Sequence, residues 1–170
     1  MSAHAERLLR LAAQLGEELR RRKLVLASAE SCTAGGVAYA ITQVPGSSQW
    51  YERGWIVYSN LSKQELLDVP GGLLLEFGAV SEPVAQAMAQ GALGRSAAQA
   101  ALAVTGIAGP DGGTPAKPVG TVCFSWALRK PDGVPLLRSR TLHFSGDRAA
   151  VRTQAIAASL EGMAEILKQS

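Results

Sequence analysis

The chain has 170 residues, enough for one domain with its own core, and its 47% hydrophobic and 18% charged content suits a globular fold and excludes an intrinsically disordered one. The net charge of +3, with no basic block beyond Arg20, Arg21, Arg22 and Lys23, argues against nucleic acid as a partner; that run reads as a solvated helix end. The two cysteines, Cys32 and Cys123, form no disulfide framework and no CxxC or CxxH zinc spacing, and no apolar run approaches the ~20 residues of a membrane span.

The N-terminus lacks the pattern of a signal peptide, so the expected location is the cytoplasm. Leu8, Leu11, Leu15 and Leu19 recur at helical spacing, which predicts an amphipathic helix over residues 5–22. Residues 24–27 read as a buried strand, and 33–42 as a helix of small residues that packs closely on a sheet. Pro45, Gly46, Ser47 and Ser48 make a loop before a second strand over 54–58. A short helix over 61–67 ends at Pro70, Gly71 and Gly72. Ser81, Glu82 and Pro83 open a helix that runs to Leu93: a capping hydroxyl, then an acid and a proline in the first turn. A third strand at 101–104 leads into a long Gly/Pro loop over 105–120. Strands over 121–128 and 136–144 are joined by the turn at 129–135, and Ser145 or Asp147 caps a last helix. Helices alternating with strands, followed by an antiparallel pair, predict a single-domain α/β fold: a three-layer α/β/α sandwich on a mixed sheet.

Glu30, Ser31, Cys32 and Thr33 stand in a row where the first strand turns into a helix. Backbone N–H groups of residues 32–35 at that helix start favour a developing oxyanion, and Ser31 beside them has the logic of a nucleophile turn, although the same residues also suit an ordinary N-cap. A serine nucleophile needs a base. His4 lies near the terminus and His143 on a strand end, so a Ser-His-Asp triad is poorly supported, and Cys32 reads as a packing residue. Lysine serves as a base when burial lowers its pKa, and Lys63, in a segment that begins with Tyr58, Ser59 and Asn60, is the candidate; taken alone it also suits a solvated helix lysine. Strand ends of an α/β sheet converge on one crevice, which would bring Tyr58 and Lys63 to face Ser31. The loop TGIAGPDGG at 105–113 lets backbone approach a ligand but is neither a P-loop nor GxGxxG. Arg148 and Arg152, four apart at the start of the last helix, can present two guanidinium groups to a phosphate or carboxylate, or stand as surface arginines.

Five stretches in fixed order, AESCTAGG at 29–36, PGSSQWYERGWIVYSNLSK at 45–63, FGAVSEPVA at 77–85, VTGIAGPDGGTPAKPVGTV at 104–122 and FSGDRAAVR at 144–152, closely resemble the CinA C-terminal domain family. The resemblance covers about residue 5 to residue 168, without the molybdopterin-binding-like domain that often precedes it, and so looks like the stand-alone form. It implies hydrolysis of the carboxamide of nicotinamide mononucleotide in pyridine-nucleotide salvage, without metal or cofactor. Carried over by motif, it implies Ser31 as nucleophile with Lys63 and Tyr58 as its catalytic partners, and substrate binding by Glu30, Cys32, Thr33, Ala34, Gly35 and Asn60. It further implies that Thr105, Gly106, Ala108 and Gly109 line the nucleotide site and that Arg148 or Arg152 meets the phosphate. Many relatives read ESCTGG where this chain has ESCTAGG, a difference that bears on which N–H groups face an oxyanion. A homo-oligomer, with a dimer favoured, is expected, and Trp50 and Tyr51 are read as exposed aromatics at its interface. The competing expectation is a non-catalytic interaction domain associated with competence or recombination. A metal-dependent phosphoester hydrolase is weaker, because Glu30, Asp111 and Asp147 are scattered in sequence.

Overall fold

The amphipathic N-terminal stretch folds as helix α1 (Ala3–Arg21), opened by Ser2, whose hydroxyl accepts from the Ala5 N–H. In the computed structural model, which describes residues 2–170, this helix packs on the last one, α6 (Arg148–Lys168), which Asp147 caps. Both lie over a five-stranded sheet of order β2-β1-β3-β4-β5. Its strands are β1 (Leu26–Glu30), β2 (Tyr51–Ile56), β3 (Ala100–Gly106), β4 (Thr121–Leu128) and β5 (Leu136–His143). β1 runs parallel to β2 and β3, and β4 is antiparallel to β3 and β5, so the sheet is mixed.

Alternation along β3 sorts the two cores. Ala100, Leu102 and Val104 face a cluster with Leu15, Leu19, Ile41 and Met163, whereas Ala101 and Ala103 face Leu67, Leu74, Val84 and Met88. Helices α1, α2 (Gly36–Thr42) and α6 therefore cover one face, and α3 (Asn60–Leu67), α4 (Gly71–Phe77) and α5 (Glu82–Gly94) the other. This is the expected three-layer α/β/α sandwich. No helix among the described residues is long and apolar enough to cross a membrane.

Four local expectations need correction. β1 continues past residue 27 to Glu30, because its last residues pair on both sides, Glu30 with Ile56 and with Val104. The helix expected from residue 33 starts at Gly36, because Ala34 (φ 49°) and Gly35 (φ 89°) take left-handed conformations that no helix continues through. β2 begins at Tyr51 and ends at Ile56, which leaves Tyr58 outside the strand. Gly71 and Gly72 open α4 rather than a loop; their poor helix propensity is outweighed by burial of Leu74 against the α5 side of the core. Nor is Trp50 an exposed aromatic, and Tyr51 is half-buried. The Trp50 ring is fully buried in a groove that exists because residue 16 is glycine, and the Tyr51 hydroxyl shares a hydrogen bond with Ser28.

Candidate active site

β1, β2 and β3 all end on the same side of the sheet, and the crevice beyond their carboxyl ends holds the chemistry-bearing residues. Ser31 is the first residue past β1. Its N–H donates to the Val104 carbonyl at 3.0 Å, which ties the serine to the end of the neighbouring strand. Lys63 comes from the first turns of α3, whose start Ser59 fixes by accepting from the Ser62 N–H. From there the lysine reaches back under the sheet end. Its Nζ lies 3.2 Å from Ser31 Oγ, 2.9 Å from the Val57 carbonyl and 3.3 Å from the Tyr58 carbonyl, and the side chain is 1% exposed.

Burial pushes the Lys63 pKa below its ordinary value, because no carboxylate pairs with the buried amine. The opposing influence is a Cys32 thiolate, but burial holds that thiol protonated by pushing its pKa up to about 12. Nζ is within hydrogen-bond distance of the Val57 and Tyr58 carbonyls and of Ser31 Oγ; in the neutral amine two N–H groups donate to the carbonyls and the lone pair faces the Ser31 hydroxyl. The same protonated thiol makes Cys32 a poor nucleophile.

Glu30, the last residue of β1, is 1% exposed and turns its carboxylate into the start of α2. One oxygen accepts from the Thr33 hydroxyl (2.6 Å) and the N–H groups of Gly35 (3.1 Å) and Val37 (3.0 Å); the other accepts from Ala38 N–H (2.9 Å). A buried carboxylate thus occupies the positive end of the helix and fixes the turn that carries Ser31. The anion site expected from residues 32–35 is therefore half filled from within: Gly35 N–H goes to Glu30 and Ala34 N–H to the Ser31 carbonyl. The N–H groups of Cys32 and Thr33 donate to no other group among the described residues.

The loop after β3 closes the other side. Ile107 N–H bonds the Thr121 carbonyl and Gly120 N–H bonds the Ile107 carbonyl, which pins both ends of the loop. Gly106 must lack a side chain: a Cβ there would stand 2.8 Å from Val122, 3.0 Å from the Thr121 carbonyl and 3.1 Å from Cys32 Sγ. Arg148, from the first turn of α6, donates to the Gly109 carbonyl (2.8 Å) and the Tyr58 hydroxyl (3.2 Å) and so bridges the loop to the segment before α3.

These elements enclose a cavity of about 250 Å³. Of the residues singled out from sequence, Ser31, Cys32, Tyr58, Asn60, Lys63, Thr105, Gly106, Ala108, Gly109 and Arg148 line it. Glu30, Thr33, Ala34, Gly35 and Arg152 do not: they build the turn behind it, where the Arg152 guanidinium donates to the Thr33 carbonyl at 3.1 Å. Tyr58 faces the cavity, but only its backbone carbonyl contacts Lys63; its hydroxyl pairs with Arg148, so a Tyr58 relay between Lys63 and Ser31 has no geometry here. Ala79, Val80, Ile107, Asp111 and Gly112 also line the cavity and were missed. The signal was present for all five: Ile107, Asp111 and Gly112 lie in the Gly-rich loop at 105–113, and Ala79 and Val80 in the stretch FGAVSEPVA at 77–85. Among the described residues no three His, Cys, Asp or Glu side chains converge on a point that could hold a metal ion.

An α/β/α sandwich with a buried serine-lysine contact under a small polar cavity is the class that fold and site define together. The chain matches the CinA C-terminal domain over residues 8–167 and belongs to that family. It is 51% identical over 156 residues to nicotinamide-nucleotide amidohydrolase PncC of Pseudomonas putida, an alignment that covers 92% of this chain and 94% of that protein. Nicotinamide-nucleotide amidohydrolase PncC of Escherichia coli K12 is 47% identical over 154 residues, covering 91% of each chain. The crystal structure of competence/damage inducible protein CihA from Agrobacterium tumefaciens matches with a TM-score of 0.89 at 38% identity, covering 99% of this chain and 100% of that one.

Proposed function

We propose that the protein hydrolyses the carboxamide of nicotinamide mononucleotide to nicotinic acid mononucleotide and ammonia, a cytoplasmic salvage reaction, with Ser31 as nucleophile and Lys63 as its base. The observation that carries this reading is the 3.2 Å contact between Lys63 Nζ and Ser31 Oγ at the base of the cavity, with the amine buried and its pKa lowered. The relatives named for this activity, similar over nine tenths of the chain, supply the substrate.

In this mechanism the neutral Lys63 takes the Ser31 hydroxyl proton as Oγ attacks the amide carbon. The N–H of Cys32, which lines the cavity and donates to no other group among the described residues, stabilises the oxyanion. Lys63 then gives its proton to the departing nitrogen, ammonia leaves, and an ester to Ser31 remains. Water, deprotonated by the regenerated amine, hydrolyses the ester to the carboxylate product. Arg148 at the rim holds the 5′-phosphate.

The test is ammonia and nicotinic acid mononucleotide formed from nicotinamide mononucleotide in the presence of a chelator. The wild type turns over, and Ser31→Ala and Lys63→Met each lose on the order of 1,000-fold or more in kcat. Turnover by Ser31→Ala at the wild-type rate would sink the serine mechanism.

A further inference from the structure

Among the residues lining the cavity are one lysine, one arginine and one aspartate: Lys63, Arg148 and Asp111. Lys63 is committed to Ser31 and two carbonyls, and Arg148 to Gly109 and Tyr58. Asp111 makes no hydrogen bond or ion pair with any other described residue, and it is the cavity's sole carboxylate. An isolated carboxylate on a floppy loop would mean little. This loop is held: Thr114 and Lys117 hydrogen-bond each other through the Thr114 N–H and the Lys117 N–H, and Gly113 lies so close to the Val119 backbone that a Cβ there would stand 2.7 Å from its nitrogen. The turn therefore presents the Asp111 acceptor at a defined place on the cavity wall.

That place is two residues from Gly109, whose carbonyl Arg148 grips. A carboxylate on the wall of the same cavity does not suit the phosphate itself, which it repels. It suits a neighbouring group that can only donate, and a pair of vicinal hydroxyls gives two donors to the two oxygens of one carboxylate. In a ligand whose amide reaches Ser31 and whose phosphate reaches Arg148, the ribose lies between.

We infer that Asp111 binds the ribose hydroxyls of the nucleotide and selects for a ribosyl, rather than a deoxyribosyl, substrate. The inference rests on the nucleotide-amidase reading above. Asp111 acts here in binding, so its removal appears in KM more than in kcat.

The experiment compares wild type, Asp111→Ala and Asp111→Asn on nicotinamide mononucleotide and on its 2′,3′-dideoxy analogue. Wild type loses about tenfold or more in kcat/KM when the hydroxyls are removed, and Asp111→Ala loses about as much on the parent nucleotide. Asp111→Ala then no longer distinguishes the two substrates, and Asp111→Asn, which keeps one acceptor, falls between. Asp111 is exposed, so both variants keep the wild-type melting temperature. Wild-type KM in Asp111→Ala, or a loss equally large on the dideoxy analogue, overturns the assignment while leaving the amidase reading intact. A wild type inert toward both nucleotides overturns that reading and this inference with it.

Discussion

Lys63 Nζ and Ser31 Oγ stand 3.2 Å apart although the lysine belongs to α3 and the serine to the turn after β1. The parallel pairing of β1 with β2 brings these segments to one end of the sheet, and the Val57 N–H bond to the Glu30 carbonyl (2.8 Å) extends that pairing up to the site. The proposed base is thus held by the sheet itself, and its burial is what lowers its pKa.

Lys63 sets a pH dependence of both rate and stability. Burial lowers its folded pKa, so kcat/KM rises with pH as the amine deprotonates and levels off above that pKa. For stability, the unfolded lysine titrates near ~10.4 and the folded one lower, so between the two values the unfolded chain holds more protons. Stability conferred at this position therefore rises with pH across that window; below it both states are charged and the contribution is constant. Urea unfolding of wild type and Lys63→Met at several pH values checks this: the difference shifts in the wild type's favour as pH rises through the window. A difference independent of pH would mean that the folded lysine is not perturbed.

Glu30 is the residue on which the nucleophile turn depends. Its two oxygens receive donors only: Thr33 hydroxyl, Gly35, Val37 and Ala38 N–H. In Glu30→Gln one end of the amide is itself a donor, so whichever way it flips it faces an N–H or O–H that loses its acceptor. The expected cost is about 3 kcal/mol of stability, measured by denaturant unfolding. Because the turn also carries Ser31, kcat falls more than KM changes. Wild-type stability in this variant would mean that the turn is held by its backbone bonds alone.

Elements with their signals in local sequence were legible: Ser81 opens α5 as expected, Asp147 rather than Ser145 opens α6, and β4 spans the predicted residues 121–128. The crevice rule for parallel strands was enough to bring Lys63 toward Ser31. What escaped depends on closure between distant residues or on an unfavoured backbone. Ala34 takes a left-handed φ that an alanine does not advertise, and α4 starts on two glycines. Beside a serine at a strand end, Glu30 looks like a ligand for substrate. Its partners are instead N–H groups five to eight residues onward, which face it only once the turn has formed. The resemblance implies Tyr58 as a catalytic partner of Ser31 and Lys63, but its hydroxyl pairs with Arg148, ninety residues away.

Arg148 and Arg152 look interchangeable in sequence and differ in space. Arg148 lines the cavity and donates only to neutral acceptors, so an incoming phosphate replaces the Gly109 carbonyl and Tyr58 hydroxyl with a better partner. Arg148→Ala therefore raises KM about tenfold or more and leaves the melting temperature near that of wild type, since the side chain is exposed. Arg152 lies behind the turn, donates to the Thr33 carbonyl and has a buried Nε without a partner. Arg152→Ala releases that carbonyl and loosens the segment between Ser31 and Gly35, so kcat and melting temperature fall together while KM moves less. Steady-state kinetics and thermal unfolding of the two variants separate these roles. The opposite pattern, with KM raised only in Arg152→Ala, would place the phosphate behind the Ser31 turn and remove Arg148 from the binding site.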